Sequence, residues 1–286
     1  GIRVLHYVCP SVWAWRRGRV KTLRRAVDRV LCLLPFEAQF LHQHQVPASY
    51  TGHPLSQRLQ RFLQQPGQQP AALRAQMQLS ADAPVLALLP GSRRSEVTML
   101  WPVFLRTAAA LQRPVVVLTC AVNADLQQWM QQQQRQLAPT LNVHWLDSTQ
   151  HGSWQALLLA DVALLASGTV TLEATMLATP MVVSYRMHAL SWFLLKHLRL
   201  YRADHVSLPN LLAGQRLVPE LLQSAASVEQ LASAVAQLFG KSGALQRQQL
   251  RALSAQLLAG SSHDSATPLT SAADVVHAML TARQSC

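Results

Sequence analysis

Residues 161–186 read DVALLASGTVTLEATMLATPMVVSYR. An apolar run from Val162 to Ala166 stops at Ser167-Gly168-Thr169. A helical pattern follows, with Leu172, Met176 and Leu177 on one side and Glu173 among them. Thr179-Pro180 breaks that helix, and Met181-Val182-Val183 opens another buried strand. A strand–turn–helix–strand unit of this kind builds parallel α/β sheets. A helix that opens on Ser-Gly-Thr presents unpaired N–H groups at its positive end, beside small residues, which suits a phosphate. A Glu one turn further on can accept hydrogen bonds from vicinal hydroxyls, as on a ribose. A plain helix cap with a first-turn acid has the same spelling, so the stretch alone leaves both readings open.

The chain around it has the same rhythm. Residues 85–89 read as a strand that runs into Pro90-Gly91-Ser92-Arg93 and a helix to residue 111. Gly91 lets a ligand approach the backbone, and Arg93 can fork onto two phosphate oxygens. The spacing is not that of a Walker loop. Strands at 115–119 and 142–146 alternate with helices at 124–137 and 153–159. Strands separated by helices of this length predict a doubly wound parallel sheet, with ligands beyond the carboxyl ends of the strands. Upstream, strands are expected at 1–9, 27–34 and 47–50, a basic helix at 16–26, and a helix from Pro35 to Gln43. Residues 60–78, rich in Gln, Pro and Ala, read as a linker or solvated insertion. Residues 206–210 read as a strand end carrying Asn210. Helices are expected at 217–223, 227–240, 244–259 and 269–283.

With 286 residues, half of them apolar, the chain can bury a large core in one or two domains. Its net charge of +12, from 25 basic and 13 acidic side chains, favours an anionic partner without choosing one. Cys9, Cys32, Cys120 and Cys286 show no C-x-x-C pattern and no histidine at ligand spacing, so reduced, buried thiols are expected rather than disulfides or a metal centre. The longest apolar run is too short to span a bilayer. The opening residues GIRVLHYVCP lack the form of a signal peptide and read as a strand entered midway, which predicts an amino-terminal truncation.

The segment from Trp13 to Arg25 interleaves aromatic and basic residues. It can stack on bases along a phosphodiester, lie on an anionic membrane, or form a solvated helix face. The second apolar-basic segment, with Trp192, Phe193, Lys196 and Arg199, favours a bilayer interface over a nucleic-acid groove. His6 and His53 are the histidines near ligand-facing strand ends.

Taken together, the motifs resemble the lipid-A-disaccharide synthase family. The resemblance is carried by HYVCPSVWAWR at 6–16, LLPFE at 33–37, Gly52-His53-Pro54, LPGSR at 89–93, Ala166-Ser167-Gly168-Thr169 with Glu173, Tyr185-Arg186, and SLPNLL at 207–212. They follow in the family's order up to about residue 225. The resemblance implies a GT-B glycosyltransferase: a remnant of a first Rossmann-like domain at 1–57, a UDP-sugar domain at 58–243, and closing helices at 244–286 that cross back.

It further implies inverting transfer of 2,3-diacylglucosamine from its UDP-sugar to 2,3-diacylglucosamine 1-phosphate (lipid X), at the cytoplasmic face of the inner membrane. No cofactor, metal or nucleic acid is expected, and a homodimer is allowed. Gly91, Ser92 and Arg93 would face the diphosphate. Ser167, Gly168 and Thr169 would present donors to it, Glu173 would hold the ribose, and Asn210 would lie by the nucleotide. Trp13, Trp15, Trp192, Phe193, Lys196 and Arg199 would meet membrane or acyl chains. The family's glycine-rich first loop and the Asp thought to serve as base have no counterpart in this sequence. The expectation is therefore weak UDP binding and little transfer by this chain alone.

Overall fold

The computed structural model describes residues 2–13, 17–187, 205–259 and 271–281. They fall into two compact units. One takes its described residues from Gly1–Arg61 and Ala255–Cys286, the other from Phe62–His188 and His205–Ser254.

The first unit holds a three-stranded parallel sheet of β1 (Leu5–Tyr7), β2 (Arg29–Cys32) and β3 (Ala48–Tyr50), in that order. A short 3-10 turn leads into α1 (Val20–Ala26), and α2 (Pro35–Gln43) follows β2. Proline at its first turn and Glu37 reaching back to the Leu34 N–H set the start of α2. The side chains of Cys9, Cys32 and Glu37, far apart in sequence, converge within 4.8 Å of one another. Burial pushes the Glu37 carboxyl upward, and the hydrogen bond that the Cys32 thiol makes with Cys9, together with burial, does the same to Cys32. At the far end of the chain, α12 (Ala272–Thr281) accepts a hydrogen bond from Arg3 at the Met279 carbonyl, 2.8 Å away.

In the second unit six strands lie parallel: β4 (Val85–Leu89), β5 (Val116–Cys120), β6 (Asn142–Leu146), β7 (Val162–Ala166), β8 (Met181–Tyr185) and β9 (Glu220–Leu222). Their spatial order is β6-β5-β4-β7-β8-β9. Counted from β4, this is the 3-2-1-4-5-6 order of a Rossmann sheet. Every residue of β4 and β7 is buried, as expected of central strands covered on both faces. Alternation divides their side chains between two cores. Leu86, Leu88, Val162 and Leu164 pack with Trp101 and Phe104 of α5 (Arg94–Ala109) and with α10 (Val228–Leu238). Val85, Ala87, Ala163 and Leu165 pack on the opposite face with α7 (Gly152–Leu159) and Leu73. Of the other helices, α6 (Ala124–Leu137), capped by Asn123, packs into the first of these cores, and α8 (Thr169–Met176), which follows β7, into the second.

Three expectations need correction. The stretch at 60–78 is no linker, because α3 (Pro54–Gln64) and α4 (Pro70–Gln76) run through it. Phe62 and Leu73 anchor them in the interior while the glutamines face water. Residues 217–223 do not form a helix. They enter the sheet as β9, the sixth strand, which pairs with β8. Asn210 does not end a strand but sits in a short helix, α9 (Leu208–Ala213), with Pro209 in its first turn. The long helix α11 (Lys241–Ala259) follows α10.

Candidate functional site

The two loops singled out in the sequence follow β4 and β7, adjacent strands at the point where the strand order reverses. Crevices at the carboxyl ends of such strands are where open α/β sheets bind ligands. Here they border a cavity of about 440 Å³ lined by Gly91, Ser92, Arg93, Ser167, Gly168, Thr169 and Glu173. Asn210 is absent from this lining and fully buried. Its amide donates to the Val218 carbonyl and to Glu220, and accepts from the Leu217 and Val218 N–H groups. An amide committed in this way has nothing left for a nucleotide, which corrects the expectation.

Gly91 has φ +110°, and a Cβ there would lie 2.7 Å from a Glu96 carboxylate oxygen. Only glycine allows this turn its shape. Arg93 is 80% exposed and bonds Glu96 at 3.0 Å. An exposed pair of this kind contributes only about 0–1 kcal/mol, so the guanidinium is free to exchange Glu96 for a ligand oxyanion. At the other loop, the Ser167 N–H bonds the Ser184 carbonyl and the Thr171 N–H bonds the Gly168 carbonyl. Among the described residues, the N–H groups of Gly168, Thr169 and Val170 have no carbonyl partner. They converge at the positive end of α8, the arrangement that favours an anion. The space a Gly168 Cβ would occupy is open.

Further along α8, the half-buried Glu173 accepts from the Ser153 hydroxyl at 3.3 Å. Its charge, after burial itself, helps push the Cys120 thiol up to about 12. Glu96, at the end of the Leu88–Glu96 stretch, also lines the cavity, as do Cys120, Val122, Ser148 and Ser153, to which the sequence reading gave no part in the site. Cys120, Val122 and Ser148 lie at or just beyond the carboxyl ends of β5 and β6. The rule that pointed to the other two loops, applied to every strand, would have found them.

Trp13 gives its indole N–H to Glu37 at 3.3 Å and sets its ring edge-on to Phe36. It is half-buried and not an open platform for stacking bases. Trp15, Trp192, Phe193, Lys196 and Arg199 lie outside the described residues. His53 accepts from the Leu55 N–H at Nδ1, and burial lowers its pKa. This favours a neutral ring in the loop before α3.

A Rossmann-ordered unit with a cavity at its switch point and a second unit built on a parallel sheet are the parts of the GT-B class of glycosyltransferase fold. The calicheamicin glycosyltransferase CalG4 aligns with 90% of this chain and 54% of its own length, at a TM-score of 0.51 and 19% identity. The UDP-GlcNAc 2-epimerase of Neisseria meningitidis, solved with UDP-GlcNAc, aligns with 84% and 62% at a TM-score of 0.56 and 11% identity. Those likenesses establish the fold alone.

Sequence decides the family. The model of the family described as lipid-A-disaccharide synthetase matches residues 1–271, and the chain belongs to that family. The lipid-A-disaccharide synthase of Pseudomonas aeruginosa strain LESB58 is 45% identical over 243 residues, 84% of this chain and 61% of the relative. That of Chromohalobacter salexigens is 42% identical over 282 residues, 98% of this chain and 71% of the relative. The chain thus spans between three fifths and three quarters of the length of these relatives.

Proposed function

We propose that the chain carries the donor-binding part of an inverting glycosyltransferase of lipid A assembly. The donor is the UDP-sugar of 2,3-diacylglucosamine, the acceptor is 2,3-diacylglucosamine 1-phosphate, and the products are the disaccharide 1-phosphate and UDP. The observation that supports this reading most directly is the cavity at the β4/β7 switch point. It combines a forked cation, three unpaired N–H groups and a carboxylate in a space of about 440 Å³.

The roles follow from charge. Arg93 and the Gly168, Thr169 and Val170 N–H groups take the diphosphate. Glu173 accepts from ribose hydroxyls. As the acceptor hydroxyl displaces UDP at the anomeric carbon, negative charge grows on the leaving phosphate oxygen. Fixed donors aimed at that oxygen lower the barrier because they need no reorganisation. The attacking hydroxyl also needs a base, a role we assign to no residue of this chain. We place the protein at the inner-membrane surface, where both acylated substrates reside.

UDP titration tests the reading. Arg93→Ala should weaken UDP by about ten- to a hundredfold, the worth of a charged hydrogen-bonding group. Bound UDP should slow hydrogen exchange at 91–93 and 167–173. Saturating UDP that leaves those amides unchanged would refute the site.

A further inference from the structure

Asn210 belongs to a motif the sequence singled out, yet it faces inward, and its partner Glu220 shows what the motif holds. Glu220 opens β9, opposite Val183 of β8. Its carboxylate accepts from the Val206 N–H at 3.2 Å, the Ser207 N–H at 2.8 Å, the Ser207 hydroxyl, and the Asn210 amide at 2.9 Å. Ser207 and Asn210 are fully buried. Among the described residues no cation pairs with Glu220. Among the described residues its carboxylate is met by these donors, and hydrogen bonds to a carboxylate are the strong ones.

The consequence reaches the cavity. Fixed to Glu220, residue 206 presents its carbonyl to Ser167, whose hydroxyl donates to it at 3.2 Å. The Ser167 N–H already bonds Ser184. Both protons of Ser167 are therefore committed inside the protein, and only hydroxyl lone pairs remain for a ligand. The same buckle holds α9 where it packs on α8, the helix that carries Glu173.

We propose that Glu220 is a positioning residue for the cavity. Through Ser207 and Val206 it fixes the Ser167 hydroxyl as an acceptor for a ligand hydroxyl and leaves the phosphates to Gly168, Thr169 and Val170. What the cavity holds rests on the donor-site reading above. The positioning itself does not.

The test uses the whole chain with UDP as the probe. Titration calorimetry compares wild type, Glu220→Gln, Ser167→Ala and the double variant. Glu220→Gln should weaken UDP about tenfold alone but less than about twofold in the Ser167→Ala background. Its effect on the melting temperature should be the same in both backgrounds. An equal loss of affinity in both, or no loss in either, overturns the proposal.

A ligand-free readout separates the two readings. Hydrogen exchange at 167–170 and 206–210 should quicken in Glu220→Gln but not in Leu126→Ala, a core variant destabilised elsewhere. If wild type fails to bind UDP while exchange quickens in this way, the donor-site reading falls and the positioning stands. Unchanged exchange in Glu220→Gln overturns the positioning whatever UDP does.

Discussion

At the scale of single residues, two side chains turn local geometry into measurable behaviour. Gly91 combines a left-handed backbone with a Glu96 oxygen 2.7 Å from the place of a Cβ. Gly91→Ala should cost about 1–3 kcal/mol of stability from backbone strain, read by urea unfolding, and should weaken UDP binding by distorting the turn that carries Ser92 and Arg93. His53 contributes to acid sensitivity. Burial lowers its folded pKa, while the unfolded chain takes up the proton at the ordinary 6.5. The contribution of this ring is therefore complete above that value and is lost as pH falls toward the folded pKa. Glu37 works in the opposite sense: its raised pKa favours the fold below the ordinary 4.5, an advantage lost as pH rises. His53→Asn keeps an acceptor for the Leu55 N–H and removes the titration. Its unfolding free energy should fall less steeply below pH 6.5 than that of wild type, and an identical slope would contradict the assignment.

At the scale of elements, the most informative disagreement between sequence and structure is at 60–78. Glutamine and proline dominate there, yet Phe62 packs edge-on against His151 and Trp154. Phe62→Ala should cost about 3–5 kcal/mol in denaturant unfolding, as for buried aromatics elsewhere. A linker position would lose almost nothing. The central strands were legible because they are short apolar runs ended by Pro-Gly or Ser-Gly, and the two cavity loops were legible because they follow those strands. β9 was not, because Glu220-Leu221-Leu222 is too short to show a period and its pairing with β8 is a long-range contact. The role of Asn210 was hidden for the same reason. Its partners lie seven to ten residues away, across a turn that local pattern cannot close. The approach of Cys9 to Cys32 likewise follows from β1 pairing with β2, not from spacing.

At the scale of the whole molecule, charge and architecture make separate demands. A net charge of +12 should draw the chain to anionic vesicles at low ionic strength. Co-sedimentation should be lost at about 0.5 M salt, where screening leaves only contact distances, and equal binding to neutral vesicles would count against the membrane role. Among the described residues, no helix is long and apolar enough to cross a membrane. The strands beneath the cavity have a consequence for how such a protein can change. β4 and β7 are sealed into cores on both faces, so a substitution there is felt in two directions at once. Ser92, Arg93, Val122, Ser148 and Thr169 stand exposed at the cavity's edge, where substitution disturbs neither core. Ligand preference can therefore drift, or be redesigned, at the edge while the foundation is inherited unchanged. A library confined to Val122 and Ser148, which have no assigned part at the diphosphate, should return folded proteins with altered ligand choice.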